Sequence, residues 1–311
     1  MKLIKLSIAL LFSAAVFSGC DGITDLFKDG INVNLDKTAT LTPENGIVKL
    51  SADESMIEDT DGALHLQVNA GKKLALSPGV ADEALVIKPV CDMYPQTVEN
   101  PSLALQLENK SASTVREQAK VAVDGKEYDE VSLEATPDNA TLNVLSRDKM
   151  SSGLSSALSV KPNEVDIKGI TIATKAGSIT VNSWLDIPFV YKKGDVISID
   201  RTLSELGLSG VELGSFGKSF KVEVEVDSYL PFVITSQAEA GEKIKAKLDT
   251  PLAAGTPSSA KRTNAVISVE STTSIDSISD AVIHLQLTAE DGARLTRDCK
   301  LVIHYKTLNI K

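Results

Sequence analysis

Histidine, cysteine and aromatic side chains are scarce in this chain of 311 residues, and each scarcity removes a class of chemistry. Three histidines, His65, His284 and His304, are a thin supply for metal binding or acid–base catalysis. Each alternates with apolar neighbours, as in Leu64-His65-Leu66, which assigns it to the polar face of a strand. A serine hydrolase needs Ser, His and Asp brought together, and the Gly-x-Ser-x-Gly elbow does not occur. The reading is therefore of no catalytic residue, no metal ligand and no cofactor. Basic runs are lacking too: 42 acids against 32 bases leave a net charge of −10, which repels nucleic acid and anionic lipid headgroups. Beyond residue 19 there is no apolar run of the roughly twenty residues that a membrane-spanning helix needs.

Of three cysteines, Cys20 stands apart. Lys2 and Lys5 precede an apolar run from Leu6 to Phe17, then Ser18-Gly19-Cys20. A run of about twelve residues is too short to span a bilayer and has the layout of a cleaved signal peptide. Cleavage before Cys20 removes two lysines and no acid, moving the net charge from −10 to −12. Cys91 and Cys299 are a candidate disulfide that would close a loop of about 209 residues, which chain entropy would favour by a few kcal/mol. Two buried thiols are the alternative.

The stretch ending in Cys20 resembles the lipobox of bacterial lipoproteins. The resemblance covers about the first twenty residues and implies a diacylglyceryl thioether on Cys20, with Phe17 standing where the family favours Leu or Val. A multiply acylated N-terminus holds a protein firmly at a membrane. The expected partner is thus the membrane itself, through lipid on Cys20.

From about residue 33 onward, period-two alternation dominates. It is clear in Leu64–Val68, Leu103–Leu107, Lys221–Val226, Val282–Leu287 and Leu301–Tyr305. Asn45-Gly46, Asp61-Gly62, Asp124-Gly125, Gly194-Asp195 and Asp291-Gly292 supply turn dipeptides suited to positive φ. Short strands with such turns predict an all-β fold, two tandem β-sandwich domains of Ig-like or related kind. Two short helices are expected, one capped by Asp200 and stopped by Gly207, the other within Ser146–Leu158. The serine-rich stretch before Pro162 marks the expected boundary. The organisation is then a signal peptide (1–19), a tether (20–32), an N-terminal β domain (33–162) and a C-terminal β domain (163–311).

Within Val165–Ile244, Ile187-Pro188-Phe189 and the run Val222-Glu223-Val224-Glu225-Val226-Asp227 leading into Leu230-Pro231-Phe232 carry a second resemblance. The layout is similar to β-rich cell-envelope lipoproteins of the Bacteroidales type, over about a quarter of the chain. It implies a β fold and an outer-membrane or cell-envelope location. Asp21 and Asp25 resemble the acidic residues that favour surface export in that group, and the surface and periplasmic faces both stay open. Asp276-Ser277-Ile278 resembles the O-glycosylation site of such bacteria, making Ser277 a candidate modified residue.

Two further clusters draw attention. Asp53, Glu54, Glu58, Asp59 and Asp61 lack the spacing of a calcium loop and read as a solvated turn. Trp184 and Tyr191, with Phe189 between them, form a candidate ligand platform for a sugar ring; core packing is the alternative for Trp184 and Phe189. The expected function is a non-enzymatic adhesion, fimbria-associated or assembly component, since fimbrial subunits of this bacterial type are lipoproteins. A surface glycan- or nutrient-binding accessory lipoprotein is the alternative, with an envelope hydrolase third. An envelope protein or a glycan is accordingly the expected partner.

Overall fold

A computed structural model of the chain describes residues 31–51, 54–59, 62–71, 74–76, 85–88, 91–96, 98, 101–123, 125–137, 140–145, 152–159, 167–168, 170–172, 179–208, 219–237, 243–271 and 281–310. They contain nineteen β-strands, numbered along the chain, and one helix of seven residues, α1 (Ser152–Leu158). The protein is all-β with sandwich-like sheets, as alternation and turn residues predict.

Two compact units share the chain in interleaved fashion. The first takes the described chain up to Ile47 together with Ser198–Glu290 and Asp298 onward, and the second takes Val48–Ile197 and Asp291–Arg297. This differs from the cut expected near Pro162. Strand β12 (Ile179–Pro188) follows Pro162, yet it pairs antiparallel with β3 (Leu64–Asn69) and β6 (Ser102–Asn109), which precede it. Strand β1 (Ile31–Leu41) likewise pairs with β19 (Leu301–Ile310), near the other end of the chain. Composition marks loops, whereas unit membership follows strand pairing across long sequence separations.

The second unit is built on a six-stranded sheet in the order β2 (Glu54–Glu58), β3, β12, β6, β9 (Ala140–Leu145). Strand β4 (Leu74–Leu76) shares one edge of β12 with β3. Alternation sends Leu64, Leu66, Val68, Leu103, Leu105, Leu107, Val181, Leu185 and Ile187 to the inner face, none more than 1% exposed. Burial of each such side chain contributes about 2 kcal/mol. Strands β11 (Ile170–Ile172), β7 (Val115–Val123) and β8 (Lys126–Ala135) form a second sheet, and β10 (Ile167–Lys168) pairs with β5 (Val86–Ile87). Val115, Val121, Val123, Ile87, and Leu154 and Leu158 of α1 add to this core.

The first unit is one eight-stranded sheet. Its order is β1, β19, β14 (Ser219–Ser228), β17 (Lys261–Ser271), β16 (Ile244–Leu248), β18 (Val282–Ala289), β13 (Val196–Thr202), with β15 (Phe232–Gln237) also paired to β18. Phe220, Val222, Val224 and Val226 alternate inward from β14, and Ile283, Leu285, Leu287 and Ala289 from β18. In β19 the inward set shifts from Leu301, Ile303 and Tyr305 to Leu308 and Ile310, because Thr307 opposes Glu223 while Tyr305 opposes Val224. Lys306 is the extra residue of this bulge, which keeps apolar side chains inside on both sides of it.

The glycines of all five expected turn dipeptides take positive φ, between 69° and 96°. The helix expected from Asp200 is instead the end of β13 followed by a single helical turn. Thr202 caps it: Glu205 N donates to Thr202 Oγ1 (3.2 Å), and Thr202 N donates to Glu205 Oε2 (2.8 Å). Of the second expected helix, Ser152–Leu158 forms as α1, and its start lies outside the described residues.

Candidate functional site

Around Trp184, the outer-face positions of β3, β12 and β6 are polar apart from Ala104, while Gln106 and Ala104 pair in turn with Leu142 and Val144 of β9. On β12 the outer-face positions are Thr180, Asn182, Trp184 and Asp186, each half-buried, alternating with buried Val181, Ser183, Leu185 and Ile187. Register brings Asn69 and Ala104 directly opposite Trp184, Gln67 and Ser102 opposite Asp186, and Gln106 opposite Asn182. Directly paired residues share a face with Cβ atoms about 5 Å apart, and diagonal neighbours lie about 7–8 Å apart. Trp184 is thus ringed by the carboxamides of Asn69, Gln67, Asn182 and Gln106, with one small side chain, Ala104, beside it.

Those four carboxamides make no hydrogen bond to the protein among the described residues. Asn109, at the end of β6, shows the contrast. Its amide donates to the carbonyls of Ser113 (2.7 Å) and Ala135 (2.9 Å), and its oxygen accepts from Ser111 N (2.9 Å). The Asn109 amide is engaged at both its nitrogen and its oxygen, whereas those around Trp184 have neither donor nor acceptor engaged among the described residues.

At one end of the face, His65 Nδ1 lies 2.6 Å from Asp186 Oδ1, and His65 Nε2 lies 3.5 Å from Asp59 Oδ2. Of the acidic cluster around it, Glu58 pairs with Arg297 (3.3 Å), and Glu54 is buried and accepts from Ser51 N (2.8 Å). Asp53 and Asp61 lie outside the described residues. The described part of this cluster is spent on protein partners.

Tyr191 does not share a platform with Trp184. It is 3% exposed, and its hydroxyl donates to Met93 O at 2.7 Å. Phe189 is fully buried. The chain leaves the sheet after Pro188, so both aromatic rings enter the core of the second unit, where Phe189 N donates to Leu64 O and Tyr191 N to Ala293 O. Trp184 alone of the three is on the outer face. Of the candidate disulfide pair, Cys91 is half-buried in the second unit and Cys299 is buried in the first. Cys20 and Ser277 lie outside the described residues.

Elsewhere, His284 and His304 sit on the outer face of the first unit, each with an aspartate: His284 Nδ1 with Asp200 Oδ1 (2.7 Å), His304 Nε2 with Asp227 Oδ2 (3.7 Å). Each histidine takes the polar-face position that alternation assigns to it. Their aspartate partners come from neighbouring strands far away in sequence, which alternation does not reveal.

These features define an all-β, sandwich-like protein with a half-buried tryptophan set among carboxamide side chains on a sheet face. No protein-family model and no curated protein matches the chain. Among solved structures it is similar to a candidate secreted protein from Parabacteroides distasonis, at 13% identity and TM-score 0.35 over 88% of this chain and 99% of that one. It is also similar to the tandem CBM22 domains of Xyn10C from Paenibacillus barcinonensis, at 8% identity and TM-score 0.22 over 91% and 98% of the two chains. At such values the fold assignment rests on this chain's own sheets. No helix of the described residues is long and apolar enough to cross a membrane.

Proposed function

We propose that this chain is a non-enzymatic binding protein of the cell envelope, tethered through acylated Cys20, with the Trp184 face as its binding surface. The observation that carries the reading is the juxtaposition of a half-buried Trp184 with four carboxamides that have no hydrogen-bond partner among the described residues. Such a face combines an apolar plate with groups that both donate and accept, which suits a ligand that has an apolar face and a polar rim. This favours the accessory-binding role over fimbrial or adhesive assembly. Stable protein interfaces gather large apolar side chains at their centre, and the exposed large hydrophobics among the described residues are only Val86 (47%) and Val196 (38%).

Two measurements test the reading. Mass spectrometry of the natively expressed chain is expected to find an acylated N-terminal Cys20, and Cys20→Ala is expected to release the protein into the soluble fraction. Trp184 is the sole tryptophan, so intrinsic emission reports on this face directly. Across a panel of glycans, peptides, nucleosides and vitamins, at least one member is expected to shift that emission and shield it from acrylamide. If no member does so, the binding surface is elsewhere; if Cys20 is unmodified, the tether is wrong.

A further inference from the structure

Length, charge and side-chain chemistry of the Trp184 face together narrow its ligand class. The strip from Thr180 to Asp186 on β12 spans six residue steps, about 20 Å at the antiparallel rise. Trp184 lies inside that strip and not at its end, with polar positions on both sides along the strand and on both neighbouring strands. At the Thr180 end, the residue opposite on β4 is exposed Ala75, a small side chain that leaves the strip open. The described outer-face residues of β3, β12, β6 and β4 include no lysine or arginine, while Glu108 and Asp186 are acidic. A polyanion would therefore meet repulsion with no lysine or arginine among the described residues of those strands to offset it.

We infer that the ligand is an uncharged glycan chain lying along β12, with one sugar ring against the Trp184 indole. This rests on the binding-protein reading above. A pyranose presents an apolar C–H face, which an indole complements, and a rim of hydroxyls that each donate and accept. The carboxamides of Asn69, Gln67, Asn182 and Gln106 match that rim because each carries both kinds of group. A strip of about 20 Å accommodates several rings, so recognition favours a chain over a monosaccharide. On an open sheet face most of the affinity would come from Trp184, with each amide refining it.

The test is affinity electrophoresis of the purified soluble chain, lacking residues 1–19, in native gels. The gels contain mixed-linkage β-glucan, arabinoxylan, galactomannan or dextran, with polygalacturonate and heparin as the anionic arm. At least one neutral polysaccharide is expected to retard the protein, with oligosaccharides of four or more units competing better than the monosaccharide. Trp184→Ala is expected to abolish retardation with unchanged far-UV circular dichroism, and Trp184→Phe to keep part of it. Asn182→Ala and Gln106→Ala, which alter only outward polar side chains, are each expected to weaken binding by about three- to tenfold. Retardation only by the anionic polymers, by no glycan at all, or equally by the Trp184→Ala variant overturns the inference. A Trp184 emission response to a peptide, nucleoside or vitamin alongside a silent glycan panel overturns the inference and leaves the binding-protein reading standing. Silence of Trp184 to every class removes both.

Discussion

Arg262 holds Asp227 in a two-pronged grip: Nε lies 2.7 Å from Oδ1, and Nη2 lies 2.7 Å from Oδ2. The two residues are directly opposite in the β14–β17 pair. The pair anchors a row across the outer face of the first unit. His304 Nε2 stands 3.7 Å from Asp227, Thr38 Oγ1 3.0 Å from His304 Nδ1, and both Arg262 and Lys306 approach Glu225. Four adjacent strands, β1, β19, β14 and β17, are thereby cross-linked by side chains as well as by backbone.

That grip gives an acid dependence of known sign. The hydrogen bond from Arg262 holds the Asp227 carboxyl below its usual value of 3.8, with the nearby positive charge adding to it. A carboxyl whose pKa is lower folded than unfolded stabilises the fold fully above the unfolded value, and the contribution disappears as pH falls through the lower folded value. Asp227→Asn is expected to be less stable than the parent at pH 7. The gap should close at the most acid pH where both remain folded, as followed by urea denaturation. A gap that persists unchanged into acid would assign the effect to packing.

Arg201 is 1% exposed and lies on the inner side of β13. Its guanidinium donates to the carbonyls of Gly46 (2.9 Å), Asp200 (2.8 Å) and Ile47. Arg201→Ala leaves buried carbonyls without donors and opens a cavity, so a loss of about 3 kcal/mol is expected by chemical denaturation. Arg201→Lys should recover little of it, because a point ammonium cannot reproduce the planar fork.

Ser183 is the polar residue on the inner face of β12. It is fully buried, and its hydroxyl has no hydrogen-bond partner among the described residues. Burying such a group without a partner costs about 1–3 kcal/mol. Ser183→Ala is therefore expected to raise the melting temperature, by the equivalent of about 1 kcal/mol after the small loss of packing. A fall in melting temperature would show that the hydroxyl is satisfied.

Gly207 and Gly125 both take positive φ, 95° and 75°, yet differ in surroundings. A Cβ on Gly207 would stand 2.3 Å from Ala39 Cβ, whereas one on Gly125 meets nothing within 4 Å among the described residues. Gly125→Ala should cost only backbone strain, about 1 kcal/mol. Gly207→Ala should cost clearly more, because β1 must also shift, and paired thermal melts of the two variants measure the difference.

Much of the secondary structure was legible in the amino-acid sequence because its causes are local. Alternation of Val222, Val224 and Val226 with Lys221, Glu223 and Glu225 identifies a strand and assigns its faces wherever the strand ends up. Positive φ at Gly46, Gly62, Gly125, Gly194 and Gly292 follows from the turn dipeptides in the same way. Asp200 shows the limit of local signals: a capping residue before an apolar periodic stretch became a strand residue paired with His284.

What only the tertiary structure decided is which strands meet. Nothing near Trp184 in sequence announces Asn69, Gln67 or Gln106, which lie on β3 and β6 and reach it through pairing with β12. Tyr191, seven residues from Trp184, turns instead into the core. The interleaved units arise for the same reason, since β1 closes on β19 and β12 returns to strands far before it. Period-two patterning specifies which side of a strand faces the core, but a strand edge accepts many partners. The choice among them is made by the joint burial of whole faces, a property of the folded chain and not of any segment.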